Sequence, residues 1–112
     1  MGGRDFHYLA EKLGAARRDF MIPHPRREAE SIAAAFHECL LGLMDHKGED
    51  FGDSARRWVQ TIQQLMDTSG IQDSGGRGTW AIKAETLTVE EKFDLSLAVD
   101  ELAYWCDRES PL

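Results

Sequence analysis

Apolar residues recur at helical spacing along most of this chain, and the pattern breaks only where glycine, proline or charge accumulates. Phe6, Leu9, Leu13 and Ala16 fall three or four residues apart, which predicts a first helix over about Asp5 to Arg18, with Phe20 just beyond it. Gly14 weakens that helix by about 1 kcal/mol relative to alanine. Pro23-His24-Pro25, after the apolar run Phe20-Met21-Ile22, bars a continuous helix and leaves Pro25 suited to the first turn of the next one.

The second helix is predicted over about Pro25 to His46. Ile32, Phe36, Cys39, Leu40 and Leu43 form its inward stripe, and Ala29 and Ala33 allow a neighbour to approach. Glu28 and Glu30 suit its positive N-terminal end, while His46 and Lys47 suit its C-terminal end before Gly48. A charged, glycine-bearing loop, Lys47 to Gly52, leads to a third helix capped by Asp53 or Ser54, with Trp58, Val59, Ile62, Leu65 and Met66 on its apolar face. Gly70 is placed to end this helix in a left-handed cap, with Ile71 folding back on Met66. Gln72 to Gly78 has turn composition throughout and reads as a mobile loop.

Thr79 to Thr86 alternates Trp80, Ile82 and Ala84 with more polar neighbours, the period of a strand. With no second strand to pair with, it would lie extended across the helices, pair with Phe20 to Ile22, or join a partner's sheet edge. The last segment, Leu87 to Arg108, opens with Thr88 and Glu91, the spacing of a capping box. Phe93, Leu95, Leu97, Ala98, Val99, Leu102, Ala103, Tyr104, Trp105 and Cys106 then occupy most of its circumference, the mark of a central helix wrapped by the rest of the chain or by a partner. The expected fold is mostly α: a compact single-domain bundle of about four helices over residues 1–112, with a short extended or strand-like segment before the C-terminal helix.

Composition narrows the function classes. At 112 residues, 42% hydrophobic and 29% charged, the chain can bury one core without disulfides or metals. No apolar run approaches the length of a bilayer span, and no signal-peptide core follows Met1, so a cytoplasmic location is expected. Cys39 and Cys106 sit among apolar neighbours and read as free thiols in a reducing compartment. A net charge of −7 and a pI near 5.0 argue against nucleic acid as the main ligand, since that binding runs on a basic face.

Candidate chemistry is sparse. Ser74-Gly75-Gly76-Arg77-Gly78 has glycines that can cradle a phosphate, but it lacks the Gly-Lys-Ser/Thr ending of a P-loop. His37-Glu38 lacks a second histidine four residues after the first, where Leu41 stands, so the zinc-helix motif fails and no metal or other cofactor is expected. Glu90, Asp94 and Glu101 share one helix face. Carboxylates on facing helices can hold Mg2+ for pyrophosphate cleavage, as in all-helical nucleotide pyrophosphohydrolases. Glu30 and Glu38 would have to supply the second helix, and their spacing differs from that family's pattern. A third reading takes the acidic C-terminal helix as a nucleic-acid mimic that inhibits a basic target.

The favoured reading is a small acidic protein-protein interaction or regulatory protein without catalytic activity. Trp and Arg, the residues enriched in binding hot spots, gather near the irregular segments as Arg56, Arg77 and Trp80. Arg17, Arg18, Arg26 and Arg27 flank the first connection and are expected to form a positive patch that steers acidic partners. A protein is therefore the expected partner, a second copy of this chain being one candidate. Thr88→Ala should lower stability by about 1 kcal/mol through loss of the cap, and Glu91→Ala by less. Denaturant midpoints measure both, and two unchanged midpoints would place the helix start elsewhere.

Overall fold

The computed structural model describes residues 6–21, 28–44, 46–73, 75–76 and 78–109. Among them are five α-helices: α1 (His7–Met21), α2 (Glu28–Leu43), α3 (Asp53–Met66), α4 (Thr79–Thr86) and α5 (Val89–Glu109), with a short 3-10 turn at Gly48–Asp50 between α2 and α3. Asp5, the Ile22 to Arg27 connection and Asp45 lie outside the described residues. The helices pack mainly as a row, α4 on α2, α2 on α1, α1 on α5 and α5 on α3, so α1 occupies the middle. Its expected stripe of Phe6, Leu9, Leu13 and Ala16 is buried throughout. No described helix is long and apolar enough to cross a membrane.

The strand-like reading of Thr79 to Thr86 is corrected: this segment is helix α4, making five helices rather than about four. An unpaired strand would leave its backbone N–H and C=O groups without partners, whereas a helix satisfies them within the segment. The buried positions Ala81, Ala84 and Leu87 recur every three residues, so Ile82, half-buried, was a misleading member of the alternation. Asp73 supports the helix start, because its carboxylate accepts the Gly78 N–H at 2.7 Å and lies at the positive end of the helix dipole. The backbone at Gly78 has φ +95°, a conformation favouring glycine.

Two end signals of α3 also differ from expectation. Its N-cap is Gly52, without a side-chain bond, and Asp53 belongs to the first turn. The helix ends at Asp67 rather than at Gly70. The Asp67 carboxylate accepts the Ser69 N–H at 2.9 Å and the Ser69 hydroxyl at 2.6 Å, turning the chain before a glycine cap can form. Gly70 does adopt a left-handed φ of +80°, but in the following turn, where the Ile71 N–H donates to the Thr68 carbonyl.

The capping box of α5 is formed in both directions. Glu91 N–H donates to Thr88 Oγ at 3.0 Å, and Thr88 N–H donates to Glu91 Oε1 at 2.8 Å. The helix is nevertheless not apolar-buried all round. Leu95, Ala98, Val99, Leu102, Ala103 and Cys106 enter the core, while Phe93, Leu97 and Tyr104 are exposed. In α2, Ile32, Phe36, Cys39 and Leu43 are buried as expected, but Leu40 is exposed. Gly42 of α2 stands close to Leu9 and Lys12 of α1.

Leu102→Ala should cost about 2 to 5 kcal/mol, because it removes a fully buried side chain and leaves a cavity. Leu97→Ala should cost no more than about 1 kcal/mol, since much of that side chain already meets water. Urea midpoints of the two variants test the difference, and equal shifts would contradict the one-sided burial of α5.

Candidate functional site

Apart from the Cys39 and Cys106 thiols, no ionisable or polar residue is buried among the described residues, so recognition chemistry in the described part of the chain sits at the surface. Among the described residues, four of the seven large apolar side chains that are exposed belong to α5: Val89 at 82%, Phe93 at 67%, Leu97 at 37% and Tyr104 at 61%. Their spacing of four, four and seven residues puts them along one helix face. That face lies opposite Leu95, Val99, Leu102 and Cys106, which anchor α5 in the core. The stripe was missed in the sequence because an apolar residue on a long helix carries no mark of whether core or solvent faces it.

Beside the C-terminal half of the stripe, α1 and α5 border an open cleft of about 400 Å3 lined by Arg17, Asp100, Glu101, Tyr104 and Asp107. Arg17 Nε donates to Asp100 Oδ1 at 2.6 Å with both side chains half-exposed, and Arg108 lies over the Tyr104 ring at 4.8 Å. Two residues beyond Arg17, partial burial raises the Asp19 carboxyl above its ordinary value; the charge of Glu38 adds to this and that of Arg18 opposes it.

Of the expected binding residues, Arg17, Arg18, Arg56 and Trp80 fall among the described residues. Arg17 and Arg18 are exposed at the end of α1, and Arg17 is matched to a carboxylate of α5. Arg26, Arg27 and Arg77 lie outside the described residues. Arg56 clamps the 3-10 turn, donating from Nε to the Gly48 carbonyl at 3.1 Å and from Nη2 to the Phe51 carbonyl at 3.5 Å. Trp80 rests edge-on against Phe36 and His37, with centroids 6.3 Å away in each case. Its remaining surface lines an open groove with Gln60, Gln63, Gln64, Met66, Asp67 and Thr68.

The rival constellations are dispersed as well. No group of three or more His, Cys, Asp or Glu side chains among the described residues is placed to hold a metal ion. Glu38 pairs with Lys12 of α1 at 3.4 Å, and Glu28 rather than Glu30 reaches α5, through Lys92. In the glycine-rich loop, the Gly78 N–H is taken by Asp73, so a carboxylate of the chain itself occupies one of the donors a phosphate would need. No family model, curated protein or solved structure matches the chain.

The two cysteines are free and buried. Burial pushes the Cys39 thiol up to about 12, with the charges of Glu38 and Asp19 adding to it. Cys106 is raised to about 12 as well, by burial first and then by Asp107. Both thiols stay protonated in the folded chain at pH values where an unfolded thiol, at its ordinary 9.0, ionises. Their contribution to stability is complete below that value and declines as pH rises toward about 12. The thermal midpoint should therefore fall above that ordinary value, and less steeply for Cys39→Ala than for the parent chain. Melting curves across alkaline pH test this, and parallel curves would show that the thiol does not contribute.

Proposed function

We propose that this chain acts by binding another protein, in a structural or regulatory role, and that the outer face of α5 is its binding surface. The observation that carries this reading is the row Val89, Phe93, Leu97 and Tyr104, held in water on a helix whose opposite face is fixed in the core. An apolar row of this kind gains about 25 cal/mol for each Å2 it buries against a partner, and concentrated exposed apolar surface is characteristic of interaction sites. Phe93 and Tyr104 are large and ringed by polar residues, the setting in which aromatic side chains serve as anchors. The helix itself is already ordered, so little conformational entropy is lost when it docks.

The same face displays carboxylates, as a nucleic-acid mimic would. The apolar row along its middle favours a protein-binding groove or helix over a mimicked phosphate array, which has no apolar counterpart. The pyrophosphohydrolase alternative would need carboxylates assembled around a cation, and no observation favours it.

A photo-crosslinking side chain placed at Phe93, with Gln64 on α3 as the control position, tests the reading in the cell that makes the protein. A discrete adduct from position 93 and not from position 64 is expected. Absence of an adduct, or equal adducts from both positions, would sink α5 as the binding face.

A further inference from the structure

We infer that the partner of α5 is a cationic amphipathic helix, an inference that rests on α5 being the binding face. The stripe from Val89 to Tyr104 extends about 22 Å at the helical rise, about four turns, and its surface is convex. A second helix laid alongside, offering its own apolar side chains at every third and fourth position, covers such a row more evenly than an extended strand does.

The charge bordering the row selects the sign of that helix. Glu90, Asp94 and Glu101 follow one edge, and Asp100 and Asp107 the other, all exposed. Of the cations nearby, Arg17 is engaged by Asp100, Lys92 by Glu28, and Arg108 lies over Tyr104. No cation among the described residues pairs with Glu90, Asp94, Glu101 or Asp107. The cleft beside Tyr104 adds a specific seat. Among the described residues it presents three carboxylates to one guanidinium, and Arg17 is committed to Asp100. A lysine or arginine of the partner entering there meets Glu101 and Asp107.

Two other occupants fit poorly. A second copy related by a two-fold axis would bring Asp94, Asp100 and Glu101 toward the same residues of its mate, since such an interface uses one patch twice. An anionic lipid surface would be repelled by the same carboxylates.

The test uses three helical peptides of about 18 residues, enough to span the row. They share one leucine stripe and differ only in carrying lysine, glutamine or glutamate at the flanking positions. Each is titrated into the full chain and followed by amide chemical shifts. The lysine peptide should bind about tenfold more tightly than the glutamine peptide, the combined effect of two or three exposed ion pairs. The glutamate peptide should bind least. The preference should shrink as salt shortens the screening length from about 10 Å at 0.1 M to about 3 Å at 1 M. Shifts should concentrate in α5 and around Arg17. Phe93→Ser combined with Tyr104→Ser should abolish binding, and combining Glu90→Lys, Asp94→Lys and Glu101→Lys should reverse the preference toward the glutamate peptide. All five positions are exposed, and circular dichroism checks that the variants fold.

Equal affinities for the three peptides, binding to none of them, or shifts away from α5 would overturn the inference. So would a concentration-dependent mass of the chain alone that Phe93→Ser removes, or binding to anionic vesicles. The crosslink from position 93 is read separately. A specific adduct together with no peptide preference defeats only the cationic-helix inference, while no adduct defeats the binding face itself.

Discussion

Everything in this fold is built outward from the contact between α1 and α2 at Gly42. A Cβ at that position would stand 2.8 Å from Leu9 Cδ1 and 3.0 Å from Lys12 Cβ, closer than packed atoms tolerate, so the glycine sets how near the two helices come. Glycine inside a helix costs about 1 kcal/mol relative to alanine. The close approach offsets that cost by completing the packing around Leu9, Cys39 and Leu43, in an interior where voids forfeit dispersion contacts. Since α1 presents its other side to α5, and α5 in turn carries α3, the position of the exposed α5 face follows from this one crossing.

A cluster of four rings closes one end of the bundle. Phe6 stacks on His46 at 5.0 Å and meets Trp105 edge-on at 4.9 Å, and Phe51 touches all three rings at centroid distances of 5.6 to 5.8 Å. Phe6 immediately precedes α1, His46 follows α2, Phe51 follows the 3-10 turn, and Trp105 lies in the last turns of α5. Offset and edge-on aromatic pairs contribute about 0.5 to 1.5 kcal/mol each beyond simple burial. Asp50 supports the turn by accepting the Lys47 N–H at 2.9 Å, and Arg56 holds two of its carbonyls. The segment between α2 and α3 is thus part of the core scaffold that keeps α5 in place.

Charge is distributed so that the scaffold and the outer face of α5 play different parts. The cross-helix pairs Lys12 with Glu38, Arg17 with Asp100 and Lys92 with Glu28 lie on the surface, where such pairs contribute roughly 0 to 1 kcal/mol. They orient helices more than they stabilise them. Arg17 is paired with a carboxylate of α5. It lines a cleft together with Asp100, Glu101 and Asp107, and the surplus carboxylates that give the chain its net charge of −7 include those along the apolar row.

Local chemistry was legible in the sequence because its partners are three or four residues apart. The capping box of Thr88 and Glu91, the buried stripe of α1 and the apolar face of α3 depend on spacing alone, and the helical class followed from them. The tertiary structure decided what spacing cannot. Thr79 to Thr86 is a helix because a helix satisfies its backbone groups within the segment and because Ala81 and Ala84 fit inward. Phe51 left an apparent loop for the core because three distant rings were there to receive it. Gly42 proved to be the contact because Leu9 lies across from it. The candidate site was the least legible part: Phe93, Leu97 and Tyr104 look as apolar as Leu95 and Leu102, and only the placement of α1 and α3 against one side of α5 determines which of them water, or a partner, will meet.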